Sequence, residues 1–251
     1  MRMLFATLWI LIGLVVVGGI YWSFLITPVS TVVALGMSAV LAIVGLALIG
    51  LIANGAIEIW ARGFSIAGVR RALRSIPAIV PAGLIVLVMW WITSRLELSV
   101  AHNSGPINAW FIARFGWDDM SWLFTAIRSL ATWLRWVVGG MMALSLMAGV
   151  LAIGWPAVGQ VAWLRRALRP RAIAVATVSF VLLVALPWTF VVPWRPESLP
   201  PTSVETAFIV VKLGVVAVMF AAALALIVRE ATPPPAAAAP AAPPLPASVP
   251  L

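Results

Sequence analysis

The side chains of this chain that could do chemistry are few, and most are arginines. The string RRALR occurs twice, starting at Arg70 and again at Arg165, 95 residues apart. On a helical wheel Arg70, Arg71 and Arg74 share one arc, opposite Ile66, Val69, Leu73 and Ile76. Arg165, Arg166 and Arg169 repeat the pattern opposite Val161, Leu164 and Leu168. Such a pattern suits a short helix lying in a membrane interface, its guanidiniums turned to water and lipid phosphate. The six arginines are therefore candidate contacts for anionic headgroups of the inner leaflet. The simpler reading of the same residues is a topology signal and interfacial anchor.

The carboxylates offer less. The one histidine, His102 in AHNSGPINAW, precedes the paired Asp118 and Asp119 of GWDDMSW. A metal site needs several convergent ligands, and this set falls short. Asp118 reads instead as the N-cap of the helix that follows, where an acid opposes the macrodipole. Asn54, Glu58 and Arg62 succeed one another at one-turn intervals and read as end-of-helix pairing, while Lys212 can snorkel outward or pair with Glu205. Cysteine is absent, which excludes disulfides, thiolate metal sites and cysteine nucleophiles. A single histidine excludes bis-histidine haem. Phosphate-loop, dinucleotide, zinc-protease and nucleophile-elbow signatures are missing too. No catalytic, cofactor-binding or metal-ligating residue is predicted, and no nucleic-acid partner.

The elements that must position these residues follow from composition. Hydrophobic residues make up 64% and charged ones 9%, against roughly a quarter charged in soluble domains. Between Arg2 and Glu58 there is no charged side chain. That run is too long for one span of about 20 residues, and TPVS at 27–30 divides it. Spans are predicted over about 4–26, 31–57, 76–94, 137–155, 172–193 and 206–228. The first run continues past Trp22 without a small-residue cleavage site, so it reads as an uncleaved anchor, not a signal peptide. The fold class is all-α: a polytopic membrane domain over 1–230, with about six transmembrane helices and basic interfacial helices. The tail, 231–251, holds eight prolines and eight alanines in 21 residues and reads as a disordered cytoplasmic spacer.

Arginine placement predicts the threading, because basic loops resist translocation. With the N-terminus inside, the inner segments hold ten arginines against two acids, a balance of +8. The outer segments hold six basic residues against five acids, leaving +1 of the total +9. The chain is thus expected in the cell's inner (plasma) membrane, both termini cytoplasmic. Shifting the sequence by 95 lays RRALR on RRALR, the second span on the fourth and the third on the fifth. This is the arrangement of a two-copy parallel repeat, although chance recurrence of an arginine-rich stop signal gives the same string.

Ser121, Thr125, Arg128, Thr132 and Arg135 form one polar stripe, with Trp122, Trp133 and Trp136 off it. A straight helix from Met120 to Gly154 would be about 52 Å long, more than a bilayer core needs. Its first half is expected on the outer interface, turning inward near Gly139-Gly140. Most of the 14 tryptophans suit interfacial belts. Ala34, Ser38 and Ala42, and likewise Ala217, Ala221 and Ala225, form small-residue stripes for helix packing. Pro187 and Pro193 are expected to bend or end the fifth span, and Thr202 to Glu205 to cap the sixth.

Without catalytic or relay residues, the sequence points to a non-enzymatic scaffold, assembly factor or small subunit of a membrane complex, with lipids and other subunits as partners. The alternative is a transporter or lipid-handling protein with a site between the repeat halves, lined by groups such as Asn54, Ser145 and Thr177.

Overall fold

The long uncharged runs become long helices because, in lipid, only intra-segment hydrogen bonding satisfies the backbone. The computed structural model describes residues 1–27, 31–116, 121–194 and 202–233, and no strand occurs among them. Helix α1 is Arg2–Ile26 and α2 is Val32–Arg62, opened by the Thr31 hydroxyl accepting from the Ala34 amide at 3.1 Å. Helix α3, Ile66–Arg74, carries the first RRALR and is capped by Ser65, whose hydroxyl accepts from Gly68 N–H at 3.0 Å. After a 3-10 turn at Ile76–Ala78 comes α4, Ile79–His102, and then α5, Ser104–Phe115. Helix α6, Ser121–Trp133, continues through a π turn, Leu134–Val138, into α7, Gly139–Ile153. The second RRALR falls on α8, Ala162–Ala167, followed by α9, Pro170–Phe180, and α10, Thr202–Ala231.

Six helices are long and apolar enough to cross a membrane: Arg2–Ile26, Val32–Arg62, Ile76–His102, Ser121–Ile153, Pro170–Val191 and Val204–Ala231. The protein is an all-α polytopic membrane protein. Helix α7 is its axis, packed by α4, α2 and α10, with Met141, Ser145 and Leu146 fully buried. Helix α1 lies on α2 and α10, and α9 on α10. The α1–α2 approach is close because two positions lack side chains. A Cβ on Gly13 would stand 2.4 Å from Ile52, and one on Gly55 would stand 2.5 Å from the Trp9 indole. That indole donates to the Ile52 carbonyl at 3.1 Å, fixing the register of the two helices.

Several sequence expectations need correction. The chain does not turn at Gly139-Gly140: Gly139 is right-handed helical, packed on Met89, and the helix runs unbroken from Ser121 to Ile153. Of the polar stripe, Arg135 finds its partners on α4, while Ser121, Thr125 and Arg128 stay exposed. The third and fourth spans therefore start or end well beyond the predicted 76–94 and 137–155. Pro187 does not end the fifth span, which stops instead at Val191, beside Pro193, the other proline expected to end it. The missing N–H of Pro187 is absorbed by π turns at Val181–Ala185 and Pro187–Val191. On α2 Ala34 and Ser38 are buried but Ala42 is exposed; Gly45, where a Cβ would stand 3.7 Å from Ile20, lies in the contact instead. On α10 Ala221 and Ala225 are buried and Ala217 half-buried. The Asp118 cap and the tail beyond Pro233 lie outside the described residues, as does the Thr202 side chain of the predicted capping box.

One end of the bundle gathers the start of α1, the end of α2, the start of α9 and the end of α10. There Arg2 donates to the Trp60 carbonyl at 3.0 Å, the Arg229 guanidinium sits 5.8 Å from the Trp60 ring, and Arg171 approaches Glu230 at 3.9 Å. This basic end also carries both RRALR segments.

Candidate functional site: arginines with and without a carboxylate

Both RRALR segments are built alike. Each follows a long helix that stops at a glycine with positive φ, Gly63 at 89° and Gly154 at 79°, where a side chain would be strained. In each glycine the amide donates to the carbonyl four residues back. In each RRALR the alanine, Ala72 or Ala167, is fully buried against the bundle. The predicted apolar arcs face outward: Ile66, Leu73, Val161 and Leu168 are all exposed, as lipid-facing residues of an interfacial helix should be.

One arginine of the first segment, Arg71, is closed off by a carboxylate. Glu58, on the last turns of α2, is only 3% exposed. Arg71 reaches it with two hydrogen bonds, Nε to Oε1 at 3.1 Å and Nη2 to Oε2 at 2.9 Å, and Arg62 donates to Oε1 at 2.7 Å. A paired fork of this kind is among the stronger protein hydrogen-bond arrangements. The Glu58 hydrogen bond raises the Arg71 pKa, partly opposed by burial and helped by Glu58's charge. Gly68 packs beside both groups: a Cβ there would stand 3.1 Å from Ser65 Oγ and in ordinary contact, 3.6 Å, with Glu58 Oε2. One turn earlier the Asn54 amide donates to the Ala72 carbonyl at 3.3 Å. Arg62 was expected beside Glu58; that Arg71 also binds it was not. Arg70 and Arg74 stay exposed, with no described acid in reach.

The second segment has no such closure. None of the ion pairs among the described residues involves Arg165, Arg166 or Arg169. Arg166 is half-buried, and burial, followed by the like charge of Arg169, lowers its pKa. Beside it lies a cavity of about 210 Å³. A second cavity of about 450 Å³ lies between the ends of α2 and α7, with Glu58, Arg62, Ala148 and Leu151 among its walls.

A third polar group sits within the spans and was missed by sequence reasoning, which put both of its charges in the outer loop. Arg135, in the π turn, donates through Nε to Thr93 Oγ1 at 2.6 Å and through Nη2 to Ser94 Oγ at 3.2 Å and Glu97 Oε2 at 2.5 Å. Its guanidinium also stands 4.7 Å from the Trp90 ring, which meets Trp136 edge-on. The available signal was the run Trp90, Thr93, Ser94 and Glu97, which places all four on one helical face if α4 simply continues. Nearby, the Trp133 indole donates to Thr177 Oγ1 at 2.9 Å, tying α6 to α9.

The remaining candidates do not converge. His102 is exposed at the end of α4, and Asp118 and Asp119 lie outside the described residues. No group of three or more metal-ligating side chains occurs among the described residues. Lys212 donates to the Trp194 carbonyl at 2.7 Å and lies over the Phe208 ring. Asn54 and Ser145 are fully buried and Thr177 is bound to Trp133, and none of the three lines either cavity at the basic end.

Fold and site together define a class, a six-span helical membrane protein whose basic end carries one arginine segment tied to a carboxylate and one with no ion pair among the described residues. No family model matches the chain, and no curated protein or solved structure is similar to it.

Proposed function

We propose that this chain is a non-enzymatic membrane protein acting as a scaffold, assembly factor or small subunit of a larger membrane complex. One observation carries the reading. Three carboxylates, Glu58, Glu97 and Glu230, each face an arginine from another element of the same chain. Charged groups in membrane spans generally mark relays or ligand paths; these join helices instead. Meanwhile the outward faces of α1, α2 and α10 are apolar and open to lipid or to neighbouring subunits. Native mass spectrometry after extraction in mild detergent and in native-lipid particles should find the chain with a partner or a second copy. A strictly solitary monomer in both preparations would sink the proposal.

A lipid-handling or transport role is the second reading, favoured by the cavity between α2 and α7 at the basic end. The matching glycine stops and buried alanines of the two RRALR segments support their origin as an internal duplication. We further place the basic end in the cytoplasm of a cell whose plasma membrane holds the chain, by the excess of arginine there. A reporter active only in the cytoplasm should then work when fused after Arg229 and fail near Gly105. The reverse pattern would invert the orientation.

A further inference from the structure

The open arginine segment has a counterpart in the same molecule that shows what is missing from it. Aligning RRALR on RRALR lays Arg166 on Arg71 and Ala167 on Ala72. In the first segment a carboxylate, Glu58, meets the arginine. In the second, the residue 95 positions after Glu58 is Ile153. Counted instead from the glycine that ends each helix, Glu58 stands five residues before Gly63, and Gly149 stands five before Gly154. Either way the acid is replaced by an apolar residue, and the two candidates lie about one helical turn apart. Both Ile153 and Gly149 line the cavity of about 210 Å³, together with Ala157, Gln160, Trp163 and Arg166. The Trp163 indole N–H is buried without a hydrogen-bond partner, and a buried donor left unpaired is unusual in a settled structure. Arg166 is a half-buried cation with a like charge beside it and no acid.

We propose that this cavity receives the phosphate group of an anionic membrane phospholipid, its oxygens standing where the Glu58 carboxylate stands in the first segment. Arg166 supplies the opposing charge. The Gln160 amide supplies a neutral donor, and Ile153 and Ala157 the apolar wall for the glycerol and upper acyl region. A lipid is a better fit than free phosphate because the cavity wall is apolar apart from Arg166 and Gln160, and Val161 and Leu168 nearby are exposed, as at a bilayer surface. The inference is independent of the scaffold reading.

The test uses the full-length protein in mild detergent, titrated with phosphatidylglycerol, phosphatidylcholine or inorganic phosphate and read by native mass spectrometry. Wild type should retain one phosphatidylglycerol and no phosphatidylcholine. Arg166→Gln should weaken retention about fivefold or more, the worth of one surface arginine, while Arg166→Lys keeps most of it. Ile153→Glu should weaken it similarly by giving Arg166 an acid of its own. Thermal unfolding of each variant in phosphatidylcholine, unchanged from wild type, establishes that it is folded. Undiminished phosphatidylglycerol retention in both Arg166→Gln and Ile153→Glu would overturn the proposal. So would equal retention of phosphatidylcholine, or displacement of the lipid by millimolar inorganic phosphate. Pro233 borders the cavity, so retention that arises only after deletion of residues 234–251 would assign the cavity to the chain's own tail and overturn it as well.

Discussion

Residues 31–116 and 121–194 each carry six arginines, yet the first stretch holds two acids and the second none. The first half can therefore pair some of its own arginines, and at Glu58 it holds Arg62 and Arg71. The second half must look elsewhere. Arg135 finds its acid on the first half, at Glu97, and Arg171 finds a distant one on α10, at Glu230. Arg165, Arg166 and Arg169 find none. The comparison teaches that two segments sharing RRALR and a glycine stop can differ in chemistry through a residue that neither contains. One carboxylate on the preceding helix separates a docked segment from an open one. It also shows charge pairing holding the halves together, since Arg135 and Glu97 belong to different halves.

The strongest way to break this picture is at the cross-half pair. Glu97→Ala would leave Arg135, 13% exposed at its side chain, without its counter-charge inside a membrane-spanning helix. Removing one partner of a buried pair destabilises by about 3–5 kcal/mol. The thermal midpoint in detergent should fall by roughly 10 °C, at 2–4 °C per kcal/mol for a chain of this size. Adding Arg135→Leu to Glu97→Ala should recover much of the loss, because the stranded charge goes too. A Glu97→Ala protein as stable as wild type would mean the pair does not hold the halves.

A smaller effect sharpens the comparison between the segments. Glu58→Gln keeps the shape of the side chain but releases Arg71 from its counter-ion, making the first segment resemble the second. Phosphatidylglycerol retention should rise from one lipid to two, the added one binding about as weakly as a single surface arginine allows, on the order of fivefold over background. If retention stays at one, the missing acid is not what distinguishes the second segment.

Much of the fold was legible in the sequence because uncharged runs of span length have few alternatives in lipid. All six spans lie where the runs are, and the helix starts at Thr31 and Ser65 follow from local capping. The span ends were harder. Arg95, Glu97 and Arg135 look like loop residues when read singly, since each charge normally ends a span. Arg95 lies 5.7 Å from the Trp91 ring and Glu97 pairs with Arg135, so the helices run on past them. The expected turn at Gly139-Gly140 failed for the same reason. Helical propensity alone could not show that the polar stripe had a partner on α4.

The sequence by itself determined the class of protein, the number of spans, the end of the bundle that is basic and the two places where arginines cluster. These are properties of composition and local periodicity, which each stretch of chain carries within itself. Only the tertiary structure decided which arginines are neutralised. Glu58 lies thirteen residues before Arg71 and Glu97 thirty-eight before Arg135, separations at which no local rule brings two side chains together. Whether a charge is paired depends on helix register and on the turn that swings α3 back onto α2. Those are outcomes of packing, and they alone leave Arg166 facing a cavity where Arg71 faces a carboxylate.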